Sequence, residues 1–183
     1  MKLAGSYTFD APRPRVWEFL IDPERLAKCI PGCDKLEKVG ENEYTGEINV
    51  GIAGVKGLYK GRVKLEDLQA PKHYRIVVDG KGKQGFIKGT GTLDLEESGA
   101  KTVLTYQGDS QIGGPLASVG QRMIDGAAKT MLTQFFTAME AEVTAAPGEV
   151  VRQGIFLNFW RFFLKTLRER FARWFGRKTP AER

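Results

Sequence analysis

Alternation of apolar and polar positions governs the chain up to about residue 112. Leu3, Gly5, Tyr7 and Phe9 share one side of a predicted strand from Leu3 to Asp10. Pro12 and Pro14 then open a short helix through Leu20, with Val16, Phe19 and Leu20 as its inner face. Asp22-Pro23 starts a second through Cys29, which Pro31-Gly32 ends. Six further strands are predicted near 34–40, 43–50, 54–68, 72–82, 85–96 and 101–112. The turns between them carry Gly40-Glu-Asn42, Gly51, Ala70-Pro71-Lys72, Lys83-Gln-Gly85 and Glu97-Ser-Gly99. Connections this short make neighbouring strands antiparallel.

The period then changes. From Pro115 to about Val143, Leu116, Val119, Met123, Ala127, Met131, Phe135 and Met139 recur at steps of three and four. An adjoining row of Ile124, Ala128, Leu132, Phe136 and Val143 widens the stripe. A helix with so broad an apolar face must bury it against the sheet. The order predicts an α+β domain over 1–145, in which a curved antiparallel sheet of about seven strands wraps a long C-terminal helix.

Pro147-Gly148 lies in a predicted hinge, 146–152, and the stretch 153–176 is both greasy and cationic. As a helix it places Phe156, Leu157, Trp160, Phe163, Leu164, Leu167, Phe171, Trp174 and Phe175 in one arc, opposite Asn158, Arg161, Lys165, Arg168 and Glu169. Arg161 and Lys165 interrupt the apolar run, and about 20 consecutive apolar residues are needed to span a bilayer, so the expected place is the membrane interface. Residues 177–183 are expected to be a disordered basic end. Docking of this helix on the domain's own core is the plainer alternative, but eight aromatics exceed what such a helix needs.

Charge sharpens the division. Residues 150–183 carry nine Lys/Arg and two Asp/Glu, whereas residues 1–149 carry nineteen and twenty. The basic character of the protein is therefore a property of its tail, suited to anionic lipids. Nucleic acid fits poorly, because the aromatic face would need some other burial. No apolar h-region follows Met1, so the body is expected to be cytoplasmic, with the protein peripheral on the cytoplasmic face of the membrane. Cys29 and Cys33 are spaced neither as a redox pair nor as half a zinc site, and read as free buried thiols.

Strand parity suggests where a ligand would lie. The inward sets are Val55, Gly57, Tyr59, Gly61, Val63 and Leu65; Tyr74, Ile76, Val78, Gly80 and Gly82; Ile87, Gly89, Gly91, Leu93 and Leu95; and Leu104, Tyr106, Gly108 and Ile112. The glycines are expected to gather at one end of the sheet, leaving an apolar cavity roofed by Met123, Ala127 and Met131. Glycines also mark bends where a sheet curls, and the two roles are compatible. The mouth is expected near Ile30-Pro31-Gly32, Phe86 and Gly113-Gly114, with Phe19 among the lining residues.

Catalytic chemistry is sparse. The single histidine, His73, sits beside a turn and reads as a surface residue, and no phosphate loop, nucleotide fingerprint or metal motif is visible. The inward positions are almost wholly uncharged, which favours binding over turnover.

Phe9-Asp-Ala-Pro12, Val16-Trp17, Asp22-Pro23, Ile30-Pro31-Gly32-Cys33, Gly57 with Gly61, Gly85-Phe86 with Gly89, and Gly113-Gly114-Pro-Leu-Ala117 with Gly120 together resemble the carbon monoxide dehydrogenase G-subunit (CoxG) proteins. These belong to the START-like, Bet v 1-like helix-grip superfamily. The resemblance spans about 1–145 and implies a hydrophobic cavity between sheet and long helix. It also implies a non-catalytic accessory protein that recruits a molybdenum-containing carbon monoxide dehydrogenase to the membrane and handles an isoprenoid quinone such as menaquinone. Two other readings stay open. One is a START-like cyclase or hydrolase of aromatic ligands, which needs Tyr59, Tyr74 or Tyr106 to converge with Gln107 or Asp109. The other is a structural membrane adaptor with an incidental pocket.

Overall fold

A computed structural model describes residues 1–51 and 56–145 of the chain. The hinge at 146–152, the amphipathic helix at 153–176, the basic end and Val55 lie outside the described residues. Strand β1 (Lys2–Phe9) leads into helices α1 (Arg13–Leu20) and α2 (Pro23–Cys29). Six strands follow: β2 (Cys33–Lys38), β3 (Glu43–Val50), β4 (Gly57–Gln69), β5 (His73–Gly82), β6 (Gly85–Ser98) and β7 (Lys101–Gly113). A 3-10 turn over Gly114–Val119 precedes helix α3 (Gln121–Thr144). The seven strands form one sheet in the order β1-β7-β6-β5-β4-β3-β2, every pair antiparallel.

Local chemistry explains the boundaries. The Asp22 side chain accepts from the backbone N–H groups of Glu24 and Arg25 at 3.0 and 3.2 Å, and Pro23 occupies the first turn of α2, where its missing N–H costs nothing. β5 and β6 are joined across Lys83-Gln84, with Gly82 opposite Gly85, and β6 turns into β7 at Gly99, whose φ of 64° suits glycine. The helix predicted to begin at Pro115 begins instead at Gln121. Gly120, at φ 96° and ψ 138°, breaks the helical path, so Leu116 and Val119 belong to the 3-10 turn.

The larger of two hydrophobic clusters joins β1, α1, α2, the sheet and the C-terminal half of α3. It contains Phe9, Val16, Trp17, Phe19, Leu95, Leu104, Phe136, Met139 and Val143. Phe136 contacts four aromatic rings, those of Tyr7, Phe9, Tyr106 and Phe135, at centroid distances of 5.1, 6.2, 5.5 and 5.3 Å. Polar bonds pin the same end. The buried Thr102 hydroxyl donates to the Ala11 carbonyl at 2.7 Å, and Glu140 accepts from the Asp10 N–H at 3.0 Å. Arg15 donates to the carbonyl of Ala145, at the end of α3.

Candidate functional site

The inner face is best described as rows across the strand ladder. In one row Gly46, Gly61 and Gly80 stand opposite one another on β3, β4 and β5, and the row continues through Ile87 and Ile112. In the next, Tyr44, Val63 and Val78 lead to Gly89 and Ser110. In the one after, Leu65 and Ile76 lead to Gly91, Gly108 and Leu3. Gly5 of β1, opposite Tyr106, lies one step further. The glycines therefore form a diagonal band across the sheet, where parity alone predicts a cluster at one end. The register causes the difference, because glycines on β6 and β7 sit progressively further from the row of Gly61 and Gly80.

This band separates the two parts of the core. The smaller cluster holds Tyr59, Leu116 and Ala127, with Val50, Ile87, Ile112 and Val119 packed against it. Val78 and Met131, between the clusters, belong to neither. A domain ordinarily has one contiguous core with smaller satellite clusters, and here the satellite lies on the far side of the glycine band. Inner-face residues along the break keep partial exposure: Val63, Ile76, Val78, Ile87, Leu93 and Ile112 on the sheet, and Met131, Leu132 and Phe135 on α3. These partly exposed apolar residues flank the glycine band and outline an apolar trough on the inner face of the sheet.

Some of the room left by missing side chains is already filled. A Cβ on Gly5 would come within 2.5 Å of the Tyr106 hydroxyl, and one on Gly82 within 2.6 Å of the Leu58 carbonyl oxygen and 2.9 Å of the Tyr59 ring. Phe86 covers Gly113 in the same way. Gly61 marks a close backbone approach instead, since its Cβ would fall 2.6 Å from the Asp79 carbonyl oxygen. Gly80 is different again, for the nearest atom to a Cβ there is the Ile87 carbonyl oxygen at 3.8 Å, and Gly57 is nearly as free. Curling and hollowing thus fall on different glycines of one band.

The remaining expected site residues divide. Ala127 is buried on the inner face of α3 and Met131 is half-buried above the trough. Met123, in the first turn of α3, is 51% exposed and does not roof the trough as expected. Phe19 is packed in the larger cluster and does not line the trough. Ile30 and Pro31 are half-buried at the corner between α2 and β2, where the Gly32 carbonyl accepts from the Asn49 N–H at 2.7 Å.

Burial raises the pKa of Tyr59, Tyr44 and Tyr74, with Asp22 adding to the effect at Tyr44 and Tyr44 at Tyr74. These phenols stay neutral and can donate. The Cys29 thiol is pushed up to about 12 by burial and then by Glu142, and Cys33, half-buried, is raised chiefly by burial. Neither is an activated nucleophile. Gln107 and Asp109 face outward and are exposed, and Asp109 lies 3.4 Å from the Met1 ammonium group. They do not converge with the tyrosines.

His73, which its place beside a turn puts at the surface, is half-buried and bonds Asp94 through Nδ1 at 2.7 Å. With Arg13, Lys72, Glu96 and Glu97 they line a polar hollow of about 560 Å³ at the opposite end of β5 and β6 from the Lys83-Gln84 turn. No local pattern announces it, because Arg13 and Glu97, paired at 3.2 Å, are far apart in the chain. A second hollow, about 490 Å³, lies on β5, β6 and β7 around Asp79, Lys88 and Gln111. Neither hollow involves α3. Among the described residues no group of three or more His, Cys, Asp or Glu could hold a metal ion, and no helix is long and apolar enough to cross a membrane.

A curved seven-stranded antiparallel sheet closed over one long C-terminal helix defines the helix-grip, START-like class. Within it, residues 5–144 match the model of the carbon monoxide dehydrogenase G-subunit (CoxG) family, and the chain belongs to that family. A conserved protein of Geobacillus kaustophilus, known from its crystal structure, is 38% identical, with a TM-score of 0.76 over 78% of this chain and 95% of that one. A START superfamily protein of Mycobacterium smegmatis shares 14% identity, with a TM-score of 0.60, over 78% of this chain and 96% of that one. The Zhui aromatase/cyclase of Streptomyces sp. R1128 shares 18%, with a TM-score of 0.59, over 82% and 99%. These last two likenesses are of fold. No curated protein matches the chain.

Proposed function

We propose that this CoxG-family protein binds a long apolar ligand, an isoprenoid quinone of the menaquinone type, in the trough beneath α3, and is not itself a catalyst. The observation that carries the reading is the core split along the glycine band, with Gly80 open and Met131 above it. Burying a polyprenyl chain there would contribute about 25 cal/mol for each Å² of apolar surface removed from water. The flexible thioether of Met131 suits a chain that takes many conformations. The outward placement of Gln107 and Asp109 supports binding over turnover, since it removes the polar partners that chemistry on the ligand would require.

The family's name supports a partnership with a dehydrogenase of the molybdenum-containing carbon monoxide type. In this reading, the amphipathic stretch 153–176 lies on the anionic cytoplasmic surface of the membrane. It keeps the protein, and with it the enzyme, at the surface where the quinone pool lies. Organic extraction of purified full-length protein, followed by mass spectrometry, should release an isoprenoid quinone; recovery of no lipid from protein purified out of a quinone-containing cell overturns the ligand. Flotation with anionic liposomes should carry the full chain and leave behind a chain ended after Pro147. Equal flotation of the two overturns the membrane role of the tail.

A further inference from the structure

Four buried side-chain polar atoms lack a hydrogen-bond partner among the described residues: Arg13 Nε, Tyr59 Oη, Thr92 Oγ1 and Glu140 Oε2. Arg13 and Glu140 are engaged through their other atoms, with Glu97 and with the Asp10 N–H. Thr92 has the outward parity of β6. Only Tyr59 belongs to the inner face. It is 8% exposed, and a buried tyrosine hydroxyl ordinarily finds a partner, because leaving it unpaired costs free energy.

The surroundings define what could pair with it. The ring lies against Gly82, and the cluster around it consists of Leu116, Ala127, Val50, Ile87, Ile112 and Val119. None of these carries a charge. A carboxylate or phosphate head would be desolvated there without a counter-ion, which is costly, whereas a neutral oxygen that only accepts is well matched. Burial raises the pKa of Tyr59, so it remains a donor through the neutral range. We infer that Tyr59 is the hydrogen-bond donor to a neutral oxygen, a ketone or quinone carbonyl, at the head of the apolar ligand. The inference rests on the ligand reading above and adds which end of the ligand goes where: the head at Tyr59, the chain past the open Gly80 toward Val78 and Met131.

Leu116, fully buried in the 3-10 turn, belongs to the same cluster as Tyr59. That turn lies between Gly114 at φ 75° and Gly120 at φ 96°, and the Leu116 N–H holds it to the Gln84 carbonyl at 2.6 Å.

The test compares full-length protein with Tyr59→Phe, using displacement of Nile red by two probes: a naphthoquinone bearing a four-isoprene chain, and the same chain as a plain hydrocarbon. Tyr59→Phe should weaken the quinone by about five- to tenfold, the size of one net hydrogen bond, and change the hydrocarbon less than twofold. Its melting temperature should equal or exceed that of the parent, since an unpaired buried hydroxyl has been removed. An unchanged ratio between the two probes overturns the inference while leaving the ligand reading intact. Failure of both probes to displace the dye from the parent overturns both. If Tyr59→Phe does not fold, equal affinity of the parent for the two probes overturns the inference.

Discussion

Gly61 and Gly80 face each other on β4 and β5, so the same substitution at each tests whether the trough has room. At Gly80 a valine Cβ would meet nothing closer than 3.8 Å, an ordinary contact, and the backbone has no positive φ. Strand propensity favours valine over glycine by up to about 1 kcal/mol, and the unfolded chain loses freedom as well. Gly80→Val should therefore match or exceed the parent in stability. At Gly61 the Cβ would fall 2.6 Å from the Asp79 carbonyl oxygen and 2.8 Å from the Gly80 Cα, both backbone atoms that cannot turn aside. Overpacking of this kind costs about 1–3 kcal/mol, so Gly61→Val should melt roughly 3–9 °C lower, at about 3 °C per kcal/mol for a domain of this size. Thermal unfolding followed by circular dichroism measures the pair. The functional half is quinone load by extraction, which Gly80→Val should reduce at least several-fold while the protein stays folded. Equal destabilisation by both substitutions would refute the claim that the band is open at Gly80. A stable Gly80→Val with full quinone load would refute the trough as the ligand's place.

Phe136→Ala should lose about 3–5 kcal/mol in urea unfolding, because it removes the ring that four other aromatics contact. Thr102→Val keeps the shape but leaves the Ala11 carbonyl without its buried donor, so a loss of about 1–3 kcal/mol is expected by the same measurement. Cys29 predicts an alkaline instability. Its thiol ionises at about 12 in the folded state against 9.0 ordinarily, so between those values the unfolded chain has released a proton that the native state keeps. This contribution is intact below pH 9 and declines as pH rises through the window, by up to about 1.4 kcal/mol per unit. The stability difference between the parent and Cys29→Ala should shrink from pH 9 to pH 11; a difference constant with pH contradicts it.

Strands are legible in the sequence because parity is a local signal: the positions whose parity points inward on β4 to β7 are inward wherever they are described. The caps of α1 and α2 are equally local, written in Pro12, Pro14 and Asp22-Pro23. The start of α3 is not. Leu116 and Val119 have helical spacing with respect to Met123, and only the dihedral angles of Gly120 show that the register breaks between them. The shape of the trough is also hidden, since a diagonal depends on which residue faces which across every ladder. Likewise, nothing in the sequence distinguishes Gly80, which leaves room, from Gly82, whose room the Leu58 carbonyl and the Tyr59 ring occupy. The pairing of His73 with Asp94 depends on the β5–β6 register in the same way.

The placement of β1 has a consequence in time. Residues Lys2 to Phe9 pair with Asp109 to Thr102, so this ladder closes a loop of about a hundred residues, at an entropic cost near 4 kcal/mol, whereas β4 to β7 meet through tight turns. The meander should therefore assemble early and β1, though first in the chain, should arrive late, leaving the edge of β7 uncovered in the interval. Because Gly5 seats Tyr106 and Tyr7 stacks on Phe136, an intermediate without β1 offers the ligand an unfinished inner face. In a refolding experiment, ligand uptake should follow the docking of β1 and never precede it, so that acquiring the lipid marks the completion of folding.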